Sequence, residues 1–361
     1  MRLCYSRPFA RLLPFALVAL LACSKESGGS GTTPAPTPTP TPAATTFTNP
    51  LLSSGPDPWV AQKDGYYYVM VTTGSNLVIR KTAKMSELST APSTIVWNPG
   101  LAGVAQRDLW APELYFFDGK WYIYYSADPF CCDGHRVHVL ENASADPTQG
   151  TWVNKGRIAN PSVDLWAIDG TVLELIGKRY LIWSGHETTP NQTQIIYISE
   201  MSSPTTLTGP RVELTRPTYA WEQNGSPITN LVNEGPEVVQ HGGKTFLIYS
   251  ASHCSTDDYV LGQLTLTGTD PLATGAWTKS SAPVFVKNVA NKAYGPGHNG
   301  FFKSKDGSED WLVYHANPQT GQGCGDYRST RMQKFTWNAD GTPNFGTPVA
   351  LGTMLARPAG E

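Results

Sequence analysis

One pattern recurs five times along this 361-residue chain: an apolar strand, a turn containing glycine, then a second strand rich in aromatic residues. The copies occupy residues 57–69, 112–125, 170–183, 236–249 and 300–314, and their starts lie 55 to 66 residues apart. Asp-Gly or Gly-Gly between alternating apolar runs, as at Asp64-Gly65, Asp118-Gly119 and Gly242-Gly243, is a strong hairpin signal. A period near sixty leaves room for two more strands per repeat, and four strands make one propeller blade. The expected fold is therefore all-β, a five-bladed β-propeller. A sandwich needs no five equivalent hairpins, and a parallel β-helix has much shorter repeats. Sixteen tyrosines, eleven tryptophans and 34 glycines suit blades that bury both faces on their neighbours.

The repeats do not reach the N-terminus. Arg2, Arg7 and Arg11 precede an apolar run from Leu12 to Ala22, too short for a stable bilayer span and laid out like a secretory signal. The run closes in Leu20-Leu21-Ala22-Cys23, which resembles the bacterial lipobox, so Cys23 is expected to carry lipid. Ser24 behind it resembles the outer-membrane sorting pattern of Gram-negative bacteria. From there to about residue 45 the chain is mostly Ser, Gly, Thr, Pro and Ala, too polar to offset its ordering entropy, and the Thr-Pro alternation favours an extended spacer. The expected organisation is a signal over 1–22, a lipidated spacer over 23–45 and a propeller over 46–361.

A net charge of −2 offers no basic footprint for nucleic acid. With Cys4 cleaved and Cys23 lipidated, Cys131, Cys132, Cys254 and Cys324 remain for an oxidising destination. Cys254 and Cys324 fall on loops of adjacent repeats and are expected to pair, with Cys131-Cys132 as the alternative oxidised pair. Adjacent cysteines lack zinc-ligand spacing.

The first strand of each blade lines a propeller's channel, so residues at equivalent strand starts converge at one end of it. Those starts carry Asp57, the 107–110 segment, Asp169, Glu234 and His298. Each acid, taken alone, reads equally well as a turn or loop carboxylate. Their shared place in the repeat singles them out. Glu113 and Glu237 lie one residue into their strands and stay outside the set. Trp59, Trp110 and Trp166 flank the acids as candidate platforms for sugar rings, with blade packing as the alternative for each.

The segments Gly55-Pro56-Asp57-Pro58-Trp59, Leu109-Trp110-Ala111-Pro112-Glu113, Ala167-Ile168-Asp169-Gly170 and Asn233-Glu234-Gly235-Pro236 resemble, in order, the signatures of glycoside hydrolase family 43. The resemblance covers roughly residues 48–355. It implies inverting hydrolysis with Asp57 as general base, Glu234 as general acid and Asp169 raising the acid's pKa and orienting it. Those residue types suit the chemistry, which needs one carboxylate to activate water and one carboxylic acid to protonate the leaving oxygen. The resemblance also implies that His298 lies near the axis, hydrogen-bonding the site or meeting a water-bound cation such as calcium. It places Arg331 against the carboxylates, with Arg328 as the alternative. No cofactor is required. Residues 232–246 and 249–252 resemble exo-acting α-L-arabinofuranosidases, so the expected partner is an arabinose-containing polysaccharide or oligosaccharide, met at a membrane only through the lipid anchor. β-Xylosidase, endo-arabinanase, exo-β-1,3-galactosidase and a non-catalytic sugar-binding propeller are the alternatives.

Overall fold

Alternation within the second strand of each repeat decides how the repeats assemble. In Lys120–Asp128, Trp121, Ile123, Tyr125 and Ala127 join one hydrophobic cluster, while Tyr122 and Tyr124 join another. In Lys244–Ala251, Phe246 and Ile248 go one way and Leu247, Tyr249 and Ala251 the other. A strand apolar on both faces needs cover on both. A ring of sheets supplies that cover to every sheet at once.

The structure is a computed structural model and describes residues 45–130, 134–160, 163–188, 192–225 and 231–361. The signal, Cys23, nearly all of the spacer, and Cys131 and Cys132 lie outside the described residues. Among the described residues are five four-stranded antiparallel sheets, each with its strands in chain order. Their innermost strands are Trp59–Lys63, Arg107–Phe117, Ala167–Leu175, Asn233–His241 and Tyr294–Lys303. Each innermost strand touches the next, and the last touches the first, so the ring closes around an axis. The five repeats are the five blades of a propeller, as expected.

Each hydrophobic cluster fills one gap between neighbouring blades. Burying one such large apolar side chain is worth about 1.5–3 kcal/mol. The gap between blades 5 and 1, where chain continuity gives no help, has its own fastening. Thr46 and Phe47 pair with Ala356 and Leu355. The Asn49 amide exchanges hydrogen bonds with Met332, donating at 2.9 Å and accepting at 3.0 Å. Thr330 Oγ1 donates to the Gly55 carbonyl at 2.6 Å, and a Cβ on Gly55 would lie 2.2 Å from that oxygen. Only glycine allows this approach.

Candidate active site

The top of the inner strand is bent by one extra residue in blades 2 to 5. In blade 3, Ile168 pairs with Ser184 but Thr171 with Ile182, so the inner strand carries an extra residue. The same slip occurs at Trp110/Glu113, Glu234/Glu237 and Gly297/Gly300. Such β-bulges bend a strand and re-aim its side chains. Left-handed backbone marks each one, at Ala111, Asp169, Gly235 and His298, and Asp57 takes it just before the blade 1 strand. Each non-glycine residue there costs about 1–3 kcal/mol. Asp and His tolerate it better than most.

A repeated hook holds these bends. The amide of Ala111 donates to Thr72 Oγ1 at 2.7 Å, that of Asp169 to Ser126 Oγ at 3.0 Å, and that of His298 to Ser250 Oγ at 2.8 Å. The Asp57 amide donates to His315 Nδ1 at 3.1 Å. Every acceptor sits in or just past the second strand of the preceding blade. Blade 4 departs from the pattern. There Ser184 Oγ donates to the Asn233 carbonyl instead, and the freed Gly235 amide donates to Asp169 Oδ2 at 2.9 Å. The bulge beside Glu234 thus grips the neighbouring carboxylate directly. Asp57, Asp169 and His298 hold the equivalent bulge position, whereas Glu234 stands one residue earlier, equivalent to Trp110 and Ile168.

These residues meet in one cavity of about 380 Å³, to which all five blades contribute: Asp57, Trp110, Asp169, Glu234, His298 and Arg328 are among its lining. Asp57 Oδ1 accepts from Arg328 Nη1 at 2.9 Å, with His298 Nδ1 at 3.2 Å and His315 Nδ1 at 3.3 Å. Burial alone would push this carboxyl up, but the Arg328 guanidinium, then the two rings, hold it well below the usual carboxylate range. Asp57 is an anion at working pH. Glu234 Oε1 accepts from Tyr259 Oη at 2.9 Å. Burial, then the charge of Asp169, push Glu234 up to about 7. Burial, then Asp57, push Asp169 up to about 7. The two interacting carboxyls titrate as a pair and share one proton near neutral pH.

Trp110 stacks on His135 with centroids 3.8 Å apart, and Trp166 on His186 at 4.2 Å, so each pocket tryptophan has a histidine behind one face. Trp59 is a correction. Its Nε1 donates to the Leu114 carbonyl at 2.9 Å and its ring lies against Tyr115, so it packs blade 1 on blade 2 below the pocket. Arg331 is a second correction. Two residues into the strand Ser329–Trp337, it is wholly buried inside blade 5, donating to Ser329 Oγ and the Ala316 carbonyl. Arg328, on the loop before that strand, is the arginine on the carboxylates. A loop at the strand's top opens to the pocket; a residue within the strand does not.

Glu113 and Glu237 belong to a buried layer two residues deeper. Tyr115 Oη donates to Glu113 Oε2 at 2.6 Å, and Thr171 Oγ1 to Glu237 Oε2 at 3.4 Å. Burial pushes both carboxyls well above their ordinary range, so they remain neutral acids. The sequence also did not point to Thr72, Gln194, His253, Tyr259 or His315. His315 and Tyr259 come from strands and loops whose facing only the ring geometry decides. His253 and Cys254 follow the Tyr249–Ser252 run and carry a positional signal.

A calcium beside His298 would have to take most of its oxygen ligands from water. Calcium takes six to eight oxygen ligands. His298 Nδ1 faces Asp57, and Asp57 is already closed over by Arg328 and His315. Cys254 and Cys324 form the expected disulfide, with Cα atoms 5.0 Å apart.

An ionised carboxylate in one cavity with a carboxyl pair that holds a single proton is the equipment of acid–base glycoside hydrolysis. Set on a propeller axis, it defines the class as propeller glycoside hydrolases. The chain belongs to glycosyl hydrolases family 43, whose pattern matches residues 47–343. It is 42% identical over 360 residues to the extracellular exo-α-(1→5)-L-arabinofuranosidase of Streptomyces avermitilis, covering 96% of this chain and 72% of the relative. It is 39% identical to the like-named protein of Streptomyces chartreusis, covering 75% of this chain and 82% of the other. The crystal structure of α-L-arabinofuranosidase from Lactobacillus brevis matches with a TM-score of 0.78 at 38% identity, over 85% of this chain and 98% of that one.

Proposed function

We propose that this enzyme releases terminal α-L-arabinofuranose from arabinan-type or arabinoxylan-type plant polysaccharide, with inversion. The observation that carries the mechanism is the opposite ionisation of Asp57 and the Asp169–Glu234 pair within one cavity. Asp57, kept anionic by Arg328, takes a proton from the attacking water. Glu234 gives its proton to the leaving glycosidic oxygen. Asp169, held by the Gly235 amide, supplies the neighbouring charge that keeps that proton on Glu234. Trp110 and Trp166, both lining the cavity, are the ring platforms for the sugar. These groups supply base, acid and charge themselves, so the reading calls for no cofactor. The names of the Streptomyces and Lactobacillus relatives support arabinofuranose as the sugar.

The test is hydrolysis of nitrophenyl α-L-arabinofuranoside, nitrophenyl β-xyloside and linear arabinan by the purified protein. Free arabinose should be the product from arabinan, with the xyloside at least tenfold poorer. Release of arabino-oligosaccharides, or preference for the xyloside, would overturn the assignment.

The protein is exported, a reading supported by the signal layout and by the extracellular naming of its relatives. Cys23 then carries the lipid that tethers it to the outer membrane. Cys23→Ala should move the protein from the membrane fraction to the soluble fraction; an unchanged distribution would reject the tether.

A further inference from the structure

Two loops rise on the pocket face, one after each second strand of blades 4 and 5, Lys244–Ala251 and Asp310–Asn317. They bring Cys254 and Cys324 together, and both sulfurs line the cavity beside His253. One ligand atom from each of these three side chains lies within 4.8 Å of the other two. Among the described residues this is the one group of histidine, cysteine and acidic side chains so placed.

The loops do not depend on the disulfide alone for their approach. The Asp257 carboxylate accepts the Thr320 hydroxyl and the Gly321 amide. The Asp257 carbonyl accepts the Gly295 amide at 2.9 Å, and Asn317 Nδ2 donates to the Gly323 carbonyl at 2.9 Å. The Thr256 amide donates to the His253 carbonyl at 3.0 Å. Opening the bridge therefore leaves both sulfurs and the imidazole converging on one point. Cys324 is partly exposed, so a small reductant reaches it.

We propose that the reduced protein carries at this point a metal site of two thiolates and one imidazole, selective for thiophilic divalent ions such as zinc, cadmium or cobalt, and that filling it stops hydrolysis. A phosphine supplies the reduction: disulfide, phosphine and water give two thiols and the phosphine oxide. The ion then displaces one proton from each thiol and forms two metal–sulfur bonds. For zinc, bonds of about 2.3 Å to sulfur and 2.0–2.1 Å to nitrogen fit three such side chains, with the fourth position left to water. His253 Nδ1 accepts the Ser255 amide at 3.1 Å, so binding through Nε2 needs the ring proton moved to Nδ1, where Ser255 Oγ at 2.8 Å accepts it. The ion occupies the wall of the cavity that Glu234 shares. It takes space from the sugar, and its charge disfavours the proton on Glu234. Catalysis closes only when the bridge is open and the ion is bound.

The experiment uses the exported protein, without the signal that holds Cys4, carrying Cys23→Ala, Cys131→Ser and Cys132→Ser, so that no other thiol binds the ion. The protein is reduced with a phosphine, desalted without oxygen and titrated with cobalt or zinc. One equivalent of cobalt should give the near-ultraviolet thiolate-to-cobalt charge-transfer band and tetrahedral visible bands. One equivalent of zinc should lower arabinofuranosidase activity at least tenfold, with a chelator restoring it. The oxidised protein should show neither response. Cys324→Ser and His253→Ala should each need at least tenfold more ion. The absence of a thiolate–cobalt band, or an undiminished response in Cys324→Ser, would overturn the site. The inhibition arm rests on the proposed activity, whereas the cobalt spectrum is read without it, so the two can fail separately. If reduction alone abolished activity, the spectrum and equilibrium dialysis would still decide the site.

Discussion

Asp57 and Glu234 do opposite jobs with the same functional group, and their neighbours explain how. Asp57 is buried yet anionic because Arg328 stands 2.9 Å from its oxygen. Around Glu234, burial and the Asp169 charge outweigh the His298 ring and the Tyr259 hydroxyl, so its carboxyl is raised. Asp57→Ala should cut turnover about 10²–10⁴-fold on arabinan and aryl arabinosides alike, because every substrate needs the activated water. Glu234→Ala should lose as much on arabinan but less than about tenfold on a dinitrophenyl arabinoside, whose leaving group needs little protonation. Equal losses on both substrates would contradict the acid role. Asp169→Asn removes an anion that disfavours ionisation of Glu234, so Glu234 should release its proton at lower pH. The basic limb of the kcat/KM profile should then move down from near 7; an unmoved limb would remove Asp169 from that role.

At the scale of the strand, the bulge is the device that turns a structural repeat into a site. Four of the five strand tops tie the left-handed residue's amide at or just past the second strand of the preceding blade, and the fifth spends it on Asp169 in that blade's inner strand. Gly235 permits this with φ 52°, and a Cβ there would lie 3.1 Å from the His298 ring. Gly235→Ala should therefore press His298 away from Asp57 and strain the bend by about 1–2 kcal/mol. The expected result is a fall in kcat/KM of at least tenfold with a Tm loss of only a few degrees. A variant with full activity would show that the bend does not position the carboxyls. The repeat and its hairpins were legible in the sequence because turn glycines and alternating aromatics are local signals. The one-residue offset of Glu234 from Asp57 and Asp169 was not, since it depends on where each ladder slips.

For the molecule as a whole, the site costs stability in a pH-dependent way. The folded-state values of Asp169 and Glu234 are raised above the ordinary carboxylate range. Their contribution is fully present below that range and is lost as pH rises through about 7. Asp57 behaves oppositely: its contribution is present above the ordinary range and lost only in strong acid, as pH falls through its depressed value. Glu234→Gln keeps an oxygen for Tyr259 and cannot ionise. It should raise Tm by about 2–6 °C at pH 8 and leave it near the native value at pH 4. A variant no more stable at pH 8 would show that Glu234 does not bear this cost.

By itself the sequence determined the number of blades, their order and the three acids at the strand tops, because hairpin turns, period-two alternation and short motifs are written in neighbouring residues. It also brought Cys254 and Cys324 to adjacent loops. Tertiary structure alone decided which arginine meets Asp57, which tryptophans face the cavity and which carboxyls hold protons. Arg328 and Arg331 are three residues apart, yet one caps a strand at the pocket and the other is sealed within blade 5. Trp59 and Trp110 flank acids equally in sequence, yet ring closure turns the first onto Tyr115 and the second into the pocket. Burial and charge in the site arise only when strands more than fifty residues apart meet at the axis, so no local pattern can encode them.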